Sequence, residues 1–257
     1  MPGTLVLVLS YDGSGFSGFA RQPGLETVQG RVEMALQTAL RRECQTVGAG
    51  RTDAGVHAKA QVMSLVADGS EPEPAVLLRS LNALVGAGIV VTEVRFAPQD
   101  FSARHSAISR EYRYRLVPGT VPPLFLAPYA WWVKGPLDLP AMRSAAECLI
   151  GEHDFRSFCV AASADDQPTR RRLDLVEIAS EPALGEQSIV VRVSGNAFLH
   201  SMVRTIVGSL VEVGLGRRPP SWMAEALEAC DRAAAGPTAP ARGLVLWHVE
   251  YPEDCWL

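Results

Sequence analysis

Apolar residues recur along this chain in two rhythms, and the switches between them mark its elements. Residues 4–10, TLVLVLS, are apolar on both faces, the pattern of a strand covered on both sides. A turn-rich segment follows, YDGSGFSGFARQPG, in which Gly and Ser are interleaved with Tyr11, Phe16 and Phe19. Thr27 then has the chemistry of a helix N-cap, with Val28, Val32, Ala35, Leu36, Ala39 and Leu40 at helical spacing behind it. Residues 48–62, GAGRTDAGVHAKAQV, read as strand, loop and strand. A second helix is expected near 74–85, with Leu77, Leu78, Leu81 and Val85 on one stripe, and IVVTEVRF at 89–96 closes the unit as a strand. That order is βαββαβ, a split βαβ unit in which the Arg-Asp loop joins the two middle strands.

The second half repeats the theme more loosely. Strands are expected at EYRYRLV, LDLVEIA, SIVVRVS and LVLWHVEY, and helices after Asp138, after Asn196 and after Ser221. The Gly/Pro-rich stretches at 117–128 and 235–243 read as loops and not as domain linkers. The boundary is placed near residue 104, dividing the chain into an N-terminal lobe, 1–104, with the Asp loop, and a C-terminal lobe, 105–257. The expected class is α+β, two ferredoxin-like split βαβ lobes sharing an extended, mostly antiparallel sheet.

Composition narrows the function more than the fold. With 257 residues, 47% of them hydrophobic, the chain can bury a sizeable core. No apolar stretch approaches the roughly 18 residues of a membrane span, and the opening MPGTLVLVLSYDG reads as a strand and not a targeting signal. Five scattered cysteines without Cys-x-x-Cys spacing suggest neither zinc nor a disulfide framework, and point to a reducing cytoplasm. The net charge of −4 argues mildly against nucleic acid, but 22 of the 24 basic residues are Arg, clustered at 41–42, 104–115, 170–172 and 217–218. Arg offers a planar fork suited to phosphate and a face that stacks on bases. These clusters are open to two readings, an RNA or DNA grip or a solvated surface.

Three segments could carry chemistry. Asp53 sits among Gly48, Gly50 and Gly55, which let backbone approach a ligand closely, with Arg51 two residues before it and His57 four after. An Asx turn between strands is the bland use of such an Asp; an ionised carboxylate held beside Arg is the reactive one. His57 could orient the loop or cap it. In REYRYRL, period-two spacing puts Tyr112 and Tyr114 on one face and Arg113 and Arg115 on the other. Tyr114 reads as core, while Tyr112 could also lie against a flat substrate such as a nucleobase. In NAFLHSMVRTIVGSLVEVG, Met202, Ile206 and Leu210 form a packed stripe, and His200, Arg204 and Gly208 lie on another. Arg204 among apolar neighbours needs an anion, and Asp53 is the partner expected for it. Metal chemistry fits poorly: His153-Asp154 in GEHDF looks like a turn after a helix, and no Gly-Lys-Ser/Thr phosphate loop appears. Gly13-Ser14-Gly15 is a weak signal for a dinucleotide. A cofactor-free, metal-free enzyme is expected.

GRTDAGVHA at 50–58 resembles the signature loop of the TruA family of tRNA pseudouridine synthases. YDGSGFSGF, FSARHSAISREYRYRL, GEHDFRSF, NAFLHSMVRTIVGSLVEVG and RGLVLWHVEY resemble further blocks of that family in its order, so the likeness spans nearly the whole chain. The resemblance implies an isomerase that detaches uracil from its ribose and rejoins it through C5, at uridines 38, 39 and 40 of the tRNA anticodon arm. It implies Asp53 as the nucleophile, attacking either C6 of the base or C1′ of the sugar, and Arg204 as its charge partner. Tyr112 would stack on the uracil and is a candidate for removing the C5 proton. Arg51 would enter the space left by the flipped nucleotide, and Leu244 would line the pocket. A homodimer is implied, with one tRNA touching both subunits. GFARQ at 18–22 departs from the aromatic-Gln-Arg-Gln run common in the family, removing at Ala20 an amide that could touch RNA. Two rival readings are a catalytically inactive tRNA-binding or chaperone module, and a metallohydrolase using Asp53 and His57.

Overall fold

The rhythm of the first hundred residues becomes four strands and two helices. The computed structural model describes residues 3–160 and 168–256. In it β1 spans Thr4–Tyr11, α1 Val28–Leu40, β2 Val47–Gly48, β3 His57–Val66, α2 Pro74–Leu84 and β4 Ile89–Ala97, the expected βαββαβ order. β1 lies between β3 and β4 and is antiparallel to both, with Val6 opposite Ser64 on one side and Arg95 on the other. That central place explains why Leu5, Val6, Leu7 and Leu9 are all fully buried. Thr27 caps α1 as expected, its Oγ1 accepting the Gly30 N–H at 3.3 Å, and the helix buries Val28, Val32, Ala35 and Leu36. Pro74 occupies the first turn of α2, where its missing N–H is not needed. β2 is short, only Val47 and Gly48 pairing with Ser64 and Met63 of β3.

The chain forms two units, one of Met1–Arg110 with Leu246–Leu257, the other of Glu111–Val245. Strand β5, Ser109–Gly119, begins on the last two residues of the first unit. The second unit continues with β6 (Trp131–Lys134), α3 (Leu139–Ala146), β7 (Gly151–Asp154), β8 (Arg170–Ser180), β9 (Ile189–Gly195), α4 (Met202–Gly214) and α5 (Trp222–Ala229). Strand β10, Leu244–Glu250, carries the chain back to the first unit at Leu246. Both units are thus α+β. Within the second, β5, β9, β8 and β7 are neighbours in that order. β8 is antiparallel to β7 and β9, while β6 runs parallel to β5.

Two local expectations are corrected here. GEHDF, expected as a turn after a helix, pairs as β7, with Glu152 opposite Arg172 and His153 opposite Arg171. It ends the strand order, and such a short, charged edge strand shows no apolar alternation to read. The second concerns the extent of burial in α4: Met202, Ile206 and Leu210 are packed as expected, and the rest of Met202–Gly214 is buried as well, apart from Arg204 and Glu212.

Candidate active site

Asp53 lies where the pairing of β2 with β3 has opened into a loop. Its carbonyl accepts the Val56 N–H at 3.1 Å, and Gly55 follows at φ +77°, the third position of a tight turn that favours glycine. The side chain is half-buried, and Arg51 is exposed. Three groups hold the chain around it, two through its backbone and one through the Thr52 side chain. Phe19 N–H donates to the Thr52 carbonyl at 3.1 Å. The Gln61 amide donates to the Gly50 carbonyl at 2.8 Å, and the Tyr11 hydroxyl lies 2.8 Å from Thr52 Oγ1. Burial of Tyr11 pushes its phenol up to about 12, against the pull of its bonds with Thr52 and Gln61.

The segment YDGSGFSGF is therefore the seat of the Asp loop. A side chain at Gly13 would overlap the Val56 carbonyl, and one at Gly48 would overlap the Phe19 ring. Gly18, at φ +96°, brings its backbone against Thr52 and Ala54. His57 opens β3 and is buried. Its Nδ1 accepts the Gly13 N–H at 3.1 Å and lies 3.2 Å from Asp12 Oδ1. The contacts of His57 thus tie the start of β3 to the Asp12–Gly13 turn.

Tyr112, Arg204 and Leu244 belong to the second unit, Asp53 and Arg51 to the first. Along β5 the alternation holds: Arg110, Tyr112, Tyr114 and Leu116 are buried, and Glu111, Arg113 and Arg115 are only half-buried. Tyr114 is core, as expected, and has a further task. Its hydroxyl donates to the Pro240 carbonyl at 2.7 Å, and its ring fills the space beside Gly243, fixing the turn that leads into Leu244. Burial raises the Tyr114 phenol above its ordinary range, with Arg204 and Arg242 working the other way. Leu244 is itself buried. Tyr112 meets Phe198 edge to face, with centroids 4.9 Å apart at 79°.

Arg204 is half-buried on α4. Its Nε donates to the Ala239 carbonyl at 2.8 Å, and the Ala239 N–H returns a bond to the Arg204 carbonyl at 3.1 Å. One turn on, a side chain at Gly208 would overlap the Pro237 carbonyl. Ser209 Oγ accepts the Gly236 N–H at 2.9 Å. The 235–243 loop thus runs along the polar stripe of α4.

Much of the clustered Arg is engaged internally. Arg42 pairs with Asp68 and Glu71, Arg170 with Glu152, Arg172 with Asp174, and Arg217 with Glu212. The exposed pairs, Arg170–Glu152 and Arg172–Asp174, are each worth about 0–1 kcal/mol. Sequence reasoning missed Phe198 and the buried Arg110. The blocks NAFLHSM and SREYRYR contained both, but a buried arginine looks like its exposed neighbours until the chain is folded.

A family model described as tRNA pseudouridine synthase matches residues 145–252. The chain is 44% identical over 245 residues to tRNA pseudouridine synthase A of Brevibacillus brevis, covering 95% of this chain and 98% of that one. It is 43% identical to the protein of the same name from Frankia casuarinae, covering 97% of this chain and 90% of that one. The corresponding protein of Thermus thermophilus is 42% identical, with 97% of each chain covered. Agreement of that depth, from the β1 strand through the Asp loop to β10, shows that the chain belongs to the TruA family of tRNA pseudouridine synthases.

Proposed function

We propose that this protein isomerises uridine to pseudouridine at positions 38, 39 and 40 of the tRNA anticodon arm, with Asp53 as its nucleophile. What carries the reading is the seating of Asp53, a half-buried carboxylate on a turn whose backbone is held at Gly50 and Thr52 and whose Thr52 hydroxyl meets Tyr11. A nucleophile that must meet an extruded base gains from such pre-set geometry, because orientation is supplied before the substrate arrives. The carboxylate adds at C6 of the uracil or C1′ of the ribose. Attack at C1′ expels N1 as the new bond forms, whereas addition at C6 precedes cleavage of the N1–C1′ bond. The base then turns and C5 bonds to C1′, displacing Asp53 from C1′ in the first case, while Asp53 is eliminated from C6 in the second. C5 loses its proton and N1 gains one, which restores the conjugated uracil ring. No electrons are gained or lost overall, so the reaction needs no redox partner.

Arg204 serves as the charge partner of Asp53, and Tyr112 stacks on the uracil and is the candidate to take the C5 proton. Arg51, exposed beside the loop, fills the gap left by the flipped nucleotide and offsets part of the few kcal/mol that extrusion costs. Leu244 lines the pocket. The exposed members of the Arg clusters grip the phosphate backbone, which makes binding strongly salt-dependent. We take the working form to be a cytoplasmic homodimer, in which Arg from two subunits concentrates where the net charge of one chain, −4, hides it. Among the described residues no helix is long and apolar enough to cross a membrane.

Release of tritium from tRNA labelled at C5 of uridine tests the reading. The wild type should release it, and Asp53→Ala should lose at least about 1000-fold in rate while still binding tRNA. Turnover retained in Asp53→Ala would rule out the mechanism. Binding without release by the wild type, on tRNA with unmodified anticodon arms, would favour an inactive binding module.

A further inference from the structure

Arg110 is 8% exposed, and it is the last residue of the first unit. A buried guanidinium is costly unless its N–H groups find acceptors. Here those acceptors are backbone carbonyls. Nη2 donates to Ala49 O at 3.1 Å and to Arg104 O at 2.6 Å, Nη1 to Ala107 O at 3.0 Å, and Nε to Ala49 O at 3.4 Å. Ala49 is the first residue beyond β2, the entry to the Asp53 loop. Its own N–H donates to Val62 O at 2.8 Å. The fork therefore ties the start of the loop to the 104–107 segment, while β3 holds it from the other side.

We propose that Arg110 is a positioning residue for Asp53, setting where the catalytic loop leaves β2 through its bonds to the Ala49 carbonyl. This rests on the reading of Asp53 as nucleophile. The fork geometry carries the argument: one side chain serves Ala49, Arg104 and Ala107 together, which a single ammonium cannot do with the same directions. Arg110 also stands two residues before Tyr112 on β5, so one short stretch of strand carries both the anchor of the loop and the proposed stacking ring.

Arg110→Lys separates fork from charge. Turnover is measured by tritium release with saturating tRNA, and amide exchange is followed at residues 49–56 and at β1, β3 and β4. The expected result is a kcat reduced on the order of 100-fold with KM nearly unchanged, and exchange accelerated in the loop relative to the strands. A kcat close to wild type, or loop exchange unchanged, overturns the proposal. So does exchange that rises equally in loop and strands, which would make Arg110 a purely structural anchor of the unit. Arg110→Gln, whose planar amide can reach one carbonyl, is the second variant should Lys fold poorly, and the loop-to-strand exchange ratio is read the same way. Asp53→Asn is assayed alongside. Turnover retained there removes the reading of Asp53, whereas the exchange comparison still decides whether Arg110 holds the loop.

Discussion

The Asp53 loop and helix α4 each carry a residue proposed for the reaction, yet they are held by different forces. The loop is fixed by polar bonds: Gln61 on the Gly50 carbonyl, Phe19 on the Thr52 carbonyl and Arg110 on the Ala49 carbonyl hold its backbone, and the Tyr11 hydroxyl meets the Thr52 hydroxyl. Each contributes about 1 kcal/mol net, and each acts on one short stretch. Helix α4 is fixed by burial, with Met202, Ile206, Val207 and Leu210 all at most 1% exposed. Its N-terminus even lacks a side-chain cap, because Ser201 sits at φ +60°. Polar bonds set direction, while apolar burial sets stability. A loop that must present one carboxylate needs the first, and a helix that carries Arg204 through a core needs the second.

Arg204→Ala should sharpen that contrast most. Removal of the proposed charge partner is expected to slow tritium release by about 1000-fold, while urea denaturation shows the unit nearly as stable as wild type. An equal loss of stability would mean that the Arg204–Ala239 bonds, not burial, hold α4 in place. Ile206→Ala should do the reverse. This side chain is fully buried, so the cavity should cost about 3 kcal/mol, with kcat per folded molecule little changed. Activity lost in proportion beyond the unfolded fraction would show that packing in α4 sets the site directly.

Tyr11→Phe is the smaller perturbation. It removes the hydroxyl beside Thr52 and should cost about 1 kcal/mol, with amide exchange rising at 49–56 before it rises in β1. Uniform exchange would place Tyr11 in the core and not in the seat of the loop. The same residue gives a pH signature. Burial raises its pKa from an ordinary 10.0 to about 12, so the folded protein holds this proton more tightly than the unfolded chain. The stability it contributes is full below about pH 10 and is lost as pH climbs towards 12. Tyr11→Phe should flatten the decline over that window in a series of melting curves, and an unchanged slope would assign the decline to other groups.

Much of this was legible beforehand. The alternation in TLVLVLS and REYRYRL, the N-cap at Thr27 and the helical spacing behind it all follow from local periodicity, which a linear chain displays openly. Asp53 stood out because the glycines around it have a conformational purpose. Less legible were β7, too short and charged to alternate, and the extent to which α4 is buried beyond its expected stripe of Met202, Ile206 and Leu210.

The sequence by itself determined the longer elements, the loop that bears Asp53, and the family, since these depend on residue type and spacing along the chain. Tertiary structure alone decided what each polar residue faces. It made YDGSGFSGF the seat of the Asp53 loop, turned His57 towards Gly13, and buried Arg110 against carbonyls while Arg113 and Arg115 stayed half-buried beside it on the same strand. It also returned residues 246–257 to the first unit. The physical reason is common to all of these. A hydrogen bond across 40 or 60 residues depends on which backbone groups folding leaves unpaired, and no local pattern in the chain records that.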